Sequence, residues 1–134
     1  LLQMAGGGQF DIVWSLCSLE HAGSITLGHR FVLNSMQLVK PGGVAIHTFE
    51  FNLSSLTDTV SSGVTVLFRK SDVDRLVADL RQLGYVVYGP NFAAGTDPLD
   101  LFVDVPPFRS SGHLRIALAQ FVATSFGMVI LKSP

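Results

Sequence analysis

The chain reads as an α/β protein in which helices cover a largely parallel sheet. Three observations predict this. A short apolar run, Phe10 to Ser15, leads into a polar elbow, Leu16 to His21, and then a helical pattern from Ile25 to Val39. Lys40-Pro41-Gly42-Gly43 stops that pattern, and a second apolar run starts at Val44. An amphipathic helix from Ser71 to Leu83 then precedes a third apolar run, Tyr85 to Tyr88. Strands alternating with helices in this way describe βαβ units, which normally lie in parallel sheets. Open α/β sheets bind ligands beyond the carboxyl ends of their strands. The elbow Leu16 to His21 is therefore the first place to look for chemistry.

Each element has a local reason. Phe10 to Ser15 is almost continuously apolar, which predicts a strand buried on both faces. Ser24 is a suitable N-cap for the following helix, because its hydroxyl can accept a first-turn N–H. Phe31, Val32, Ser35, Leu38 and Val39 repeat at helical spacing, while Gly28 weakens the helix by about 1 kcal/mol relative to alanine. Pro41 disfavours helix at Lys40, and the two glycines allow a sharp turn. In the strand from Val44 to Phe51, alternation puts Val44, Ile46, Thr48 and Glu50 on one face, joined by Asn52 if the strand extends. Ala45, His47, Phe49 and Phe51 lie on the other. Asn52 to Gly63 is rich in serine and threonine and reads as a loop.

Val73, Leu76, Val77, Leu80 and Leu83 form the stripe of the second helix. Ser71 and Asp74 resemble a capping box at its start, and Gly84 ends it. Asn91 to Gly112 is irregular, punctuated by Asp97-Pro98, Pro106-Pro107 and Ser110-Ser111-Gly112. Leu114 to Leu118 alternates like a strand. Thr124 to Leu131 is apolar on both faces and reads as an interior strand.

Composition narrows the function classes. The chain has 134 residues, enough for one domain, and is 48% hydrophobic with 14% charged residues, so it folds around a core. A net charge of −1 gives no electrostatic case for nucleic acid or an anionic membrane. No apolar run reaches the ~18 residues of a spanning helix. The single cysteine excludes an internal disulfide. With no signal-peptide pattern at the start, it points to the cytoplasm. No Gly-x-Ser-x-Gly elbow or Cys-x-x-Cys pair occurs. No pair of ligand-type residues has a recognised metal-binding spacing such as His-Glu-x-x-His, so no metal is expected.

Phe10-Asp11-Ile12-Val13, then Leu19-Glu20-His21, then Leu38-Val39-Lys40-Pro41-Gly42-Gly43 resembles the middle of a class I S-adenosylmethionine-dependent methyltransferase. The resemblance extends from Phe10 to Lys132, with its sharp motifs between Phe10 and Gly43. It implies the C-terminal half of a Rossmann-like sheet, with parallel strands and a final antiparallel strand inserted between the fifth and sixth. It implies S-adenosyl-L-methionine as cofactor and methyl transfer to a small-molecule or glycan-like acceptor. Ser15, Leu16 and Cys17 would line the methionine end of the cofactor. Glu20 and His21 would flank the transferred methyl group or the acceptor, and Glu50 and Asn52 would contact the acceptor.

The family's glycine-rich cofactor loop follows a strand and opens a helix. Gly6-Gly7-Gly8 does neither and reads as a flexible lead-in. The sequence is thus expected to be a partial domain, residues 1–134 of a larger unit, inactive alone. Plainer readings stand beside these. Glu20 serves equally as a loop acid, His21 as a loop histidine, Cys17 as a small buried residue, and His47 as a packed strand histidine. His29 and His113 read as surface or core residues. The alternative function is a non-catalytic methyltransferase-like module that packs against a protein partner. The apolar edge of the first strand invites such association, including self-association. A different doubly wound enzyme, such as one acting on nucleotide sugars, shares the fold logic.

Overall fold

The computed structural model describes residues 8–89, 91–109 and 112–134. Gly6 and Gly7 of the lead-in, Pro90 after the third strand, and Ser110-Ser111 lie outside them. The elements are β1 (Phe10–Ser15), α1 (Ile25–Ser35), β2 (Val39–Asn52), α2 (Lys70–Gln82), β3 (Val86–Tyr88), α3 (Pro98–Leu101), β4 (Val103–Asp104), β5 (Arg115–Leu118) and β6 (Phe121–Leu131). A single turn of 3-10 helix covers Leu19–His21.

All six strands form one sheet in the order β1-β2-β6-β5-β4, with β3 also paired to β6. β1 and β2 are parallel, whereas β6 runs antiparallel to β2, β3 and β5. Along one edge β6 pairs with β2 through residues 123–131. Along its other edge it pairs with β3 near its end and with β5 near its start. β6 therefore lies between β2 and β3, as the interior reading of Thr124 to Leu131 requires.

The two faces of the sheet differ. Ala45, Phe49 and Phe51 of β2 and Met128 and Ile130 of β6 are buried against α1 and α2, with Val32, Met36, Leu76 and Leu80 as partners. Phe49 and Phe68 meet edge to face at 5.4 Å. On the other face Leu67, Phe121 and Ala123 form a small cluster. The rest of that face stays open, with Ile12, Trp14 and Tyr88 each about 60% exposed. The expectation that β1 is buried on both faces is thus corrected. Among the described residues β1 is an edge strand, and only Val13 and Ser15 point into the covered layer.

The capping expectations divide. Ser24 caps α1, its Oγ accepting from the Leu27 N–H at 3.1 Å. Ser24→Ala should cost about 1 kcal/mol in urea denaturation; an unchanged midpoint would show that the cap is not needed. α1 stops at Ser35, however, not Val39. Val39 is taken up by β2, where it pairs with Phe10, and Lys132 Nζ donates to the carbonyls of Met36 and Val39 at 3.0 and 2.8 Å. At Met36 the cation satisfies a carbonyl that the helix end leaves unpaired.

The Lys-Pro-Gly-Gly stretch then lies inside β2 as a bulge. Phe10 pairs with Val39 and Ile12 with Val44, so residues 40–43 oppose Asp11 alone. A Cβ on Gly43 would sit 2.8 Å from the Asp11 carbonyl oxygen, which accounts for glycine there. α2 begins at Lys70, not Ser71. Its start is held by Asp72, which accepts from the Arg69 backbone N–H at 3.0 Å and from the guanidinium Nε at 2.8 Å. Lys70 and Asp74 pair one turn apart.

Candidate functional site

β1 ends at Ser15, opposite His47, while β2 continues to Asn52. Beyond that step the neighbour of β2 becomes the segment around Phe68. The Phe68 N–H donates to the Glu50 carbonyl and the Asn52 N–H donates to the Phe68 carbonyl, both at 2.9 Å. The elbow folds over this step. The Val66 N–H donates to the Glu20 carbonyl at 2.9 Å, tying the 3-10 turn to the same segment.

Cys17 makes the elbow sharp. Its φ is 44°, in the left-handed region that non-glycine residues seldom adopt. Such residues cost on the order of 1–3 kcal/mol and cluster at functional sites. The conformation lets the Cys17 N–H donate to Thr48 Oγ1 at 2.9 Å. It also places Sγ 3.8 Å from Glu50 Oε1 and 3.6 Å from Ser125 Oγ. Cys17 is exposed, which corrects the reading of a small buried residue. Glu50 in turn accepts from the Ser125 hydroxyl at 2.8 Å.

Glu20 completes the group. Ligand atoms of Cys17, Glu20 and Glu50 all lie within 4.8 Å of one another. Glu20 is fully buried, and neither carboxylate oxygen has a well-formed hydrogen bond. Burial raises its pKa first; Glu50 adds to the rise, while its own backbone N–H, His21 and the Cys17 thiol oppose it.

The other expected residues are placed differently. Ser15 turns into the helix layer, where its Oγ meets His47 Nδ1 at 2.7 Å. Leu16 is exposed beside the elbow. His21 Nδ1 lies 2.9 Å from the Val64 carbonyl, so it is the donating nitrogen and Nε2 the accepting one. Asn52 does not join the cluster. Its side-chain NH2 donates to the Asp58 carbonyl and Thr59 Oγ1, and its Oδ1 accepts from the N–H groups of Ser54 and Ser55. Its whole hydrogen-bonding capacity organises the loop after β2.

Two features escape sequence reasoning. A cavity of about 170 Å³ opens beside Glu50, lined also by His113, Leu114, Thr124 and Ser125. His113 Nδ1 donates to Asp104 Oδ2 at 2.8 Å. Asp104 is buried; burial alone would raise its pKa, but the Arg109 N–H and the His113 ring hold it below the usual value. A carboxylate on Nδ1 fixes the tautomer and leaves Nε2 as the basic nitrogen. No local spacing announces this pair, because the Pro106-Pro107 loop brings the residues together. A larger groove of about 270 Å³ lies between α1 and α2. It is away from the strand ends, and its His29 and Asp79 face each other at 3.1 Å.

No protein-family model and no curated protein matches the chain. Among solved structures, an O-methyltransferase family protein from Burkholderia thailandensis is similar, at 16% sequence identity with a TM-score of 0.48. The likeness covers 95% of this chain, which spans 31% of that structure's length. No helix among the described residues is long and apolar enough to cross a membrane.

Proposed function

We propose that this chain forms the part of an S-adenosylmethionine-dependent methyltransferase domain running from the fourth strand to the last. The observation that carries the reading is the position of β6, antiparallel and between β2 and β3. That is the insertion expected from the resemblance carried by Phe10-Asp11, Glu20-His21 and Lys40-Pro41-Gly42-Gly43. The elbow supports it, since it lies at the carboxyl end of β1 where such sheets take ligands.

Methyl transfer from a sulfonium is a direct displacement, so the protein mainly holds donor and acceptor in line. A base is needed only where the acceptor must lose a proton. The cavity beside Glu50 suits a small polar acceptor of the hydroxyl or glycan kind. His113, oriented by Asp104, offers a base at its wall; His21 is the second candidate. Ser15 is turned away toward His47, so Leu16 and the backbone at Cys17 are left to face the cofactor side.

Calorimetric titration of S-adenosylmethionine and S-adenosylhomocysteine into the full-length protein tests this. Saturable micromolar binding of both, weakened by substitutions in the elbow, is expected. No heat with either would reject the reading. It would favour the partner module, for which the open apolar face around Ile12, Trp14 and Tyr88 supplies a surface.

A further inference from the structure

A buried carboxyl group needs partners in either protonation state. Ionised, it needs donors or a cation; protonated, it needs an acceptor. Glu20 is fully buried, and neither Oε1 nor Oε2 has a well-formed hydrogen bond among the described residues; only its own backbone N–H and the Cys17 thiol approach it. Its carboxylate lies against the Cys17 sulfur and the Glu50 carboxylate. Two acids brought together in this way repel each other unless one keeps its proton or a cation stands between them, and a cation would bind both.

We propose that Cys17, Glu20 and Glu50 form a binding site for a divalent transition-metal ion, zinc before any other. The ligand set decides the class. Hard ions such as magnesium and calcium take oxygen ligands, whereas a thiolate selects softer metals. Zinc is held at about 2.3 Å by sulfur and about 2.0–2.2 Å by carboxylate oxygen. At tetrahedral angles those bonds place the ligand atoms ~3.5 Å apart. Cys17 Sγ and Glu50 Oε1 are 3.8 Å apart, and all three ligand atoms lie within 4.8 Å of one another, so the group has to draw together around the ion. Three protein ligands leave a fourth position for water or a ligand, the pattern of reactive zinc sites and not of structural ones.

The surroundings are those of a supported site. The Ser125 hydroxyl donates to Glu50, as outer partners of ligating carboxylates commonly do. The Thr48 hydroxyl receives the Cys17 N–H and stands 3.5 Å from its sulfur, fixing the left-handed turn that aims the thiol inward. The ligand atoms come from the elbow after β1 and from β2, 33 residues apart for Cys17 and Glu50, so no short motif could announce them. The site does not depend on methyl transfer, and its test does not require activity.

The test is titration of the metal-free full chain with zinc chloride, with magnesium chloride in parallel, followed by loading with cobalt(II). One zinc per chain is expected, with at least 100-fold preference over magnesium. The cobalt form should show a thiolate-to-metal charge-transfer band. Loss of an outer partner typically costs 10–100-fold in metal affinity, so losing a ligand should cost on the order of 100-fold. Glu20→Gln tests the buried ligand. Cys17→Ser, at an exposed position, tests the site without endangering the fold and should abolish the cobalt band. Zinc binding that survives Cys17→Ser unchanged, or a cobalt form without the charge-transfer band, overturns the proposal and assigns the metal to surface histidines. Failure to bind zinc at millimolar concentration overturns it outright.

Discussion

Lowering the pH from 7 to 4 should remove about 3 kcal/mol of folding stability through His47 alone. The ring lies in a closed hydrogen-bond chain. Ser35 Oγ–H donates to the Val32 carbonyl at 2.7 Å, and a carbonyl can only accept. Ser35 Oγ must then accept from His47 Nε2–H at 2.9 Å. Nδ1 is left with the lone pair and accepts from Ser15 Oγ–H at 2.7 Å. The neutral ring is satisfied at both nitrogens. A second proton would face Ser15 with its hydroxyl turned the wrong way, in a site 1% exposed.

Burial lowers the His47 pKa from 6.5 to about 4. The sign follows directly. As pH falls below 6.5 the unfolded chain takes up a proton that the folded chain refuses. Stability is full above 6.5, declines to about 4, and levels off once the folded ring also protonates. At about 1.4 kcal/mol per pH unit the whole window spans roughly 3.5 kcal/mol, of which about 3 is gone at pH 4, where the folded ring is half protonated. His29, whose pKa is also lowered by burial, adds in the same direction. Urea denaturation from pH 7.5 to 4 is the measurement, with His47→Gln as comparison. The variant should be weaker at pH 7 and lose less stability over the window. Parallel curves for the two proteins would refute the chain of bonds as drawn.

The sequence was most legible where structure is local. β1 has the predicted bounds, because six residues of strand pattern followed by a polar elbow need no distant information. The alternation of β2 correctly assigned Glu50 to one face and His47 to the other. What failed was set by partners far along the chain. The end of α1 is set by the pairing of Val39 with Phe10, and Lys132, 96 residues beyond Met36, meets its last carbonyl. The exposure of β1 depends on what covers the second face of the sheet, which apolar composition does not specify.

The same rule sorts the site residues. Cys17, Glu20 and Glu50 each stood out by position, at strand ends, yet only the step between β1 and β2 brings them together. Asn52 stood at a strand end too, but its amide serves the loop. The Asp104 and His113 pair was invisible, since the two-residue strand β4 that holds Asp104 is too short to show a period and His113 lies outside any strand or helix.

Gly28→Ala is expected to destabilise the fold by about 2 kcal/mol, although helix propensity alone predicts a gain of about 1 kcal/mol. A Cβ at this position would lie 2.6 Å from the Leu19 carbonyl oxygen and 2.7 Å from Phe68 Cζ. Leu19 and Phe68 are both buried in the core, and a backbone oxygen cannot rotate away. Helix α1 would have to lift from the elbow, and overpacking of this kind typically costs 1–3 kcal/mol or more. Asn34→Ala, at an exposed position of the same helix, isolates propensity and should be neutral or mildly stabilising. The urea midpoint of Gly28→Ala should therefore fall while that of Asn34→Ala holds or rises; a stabilised Gly28→Ala would mean that the elbow yields easily. The consequence reaches the site, because Leu19 directly precedes Glu20 and both belong to one 3-10 turn. A shift of that turn by a few tenths of an ångström moves the buried carboxylate relative to Cys17 and Glu50. Gly28 thus gives up helical stability to let α1 press the elbow into place, and Gly28→Ala should perturb the cluster along with the core.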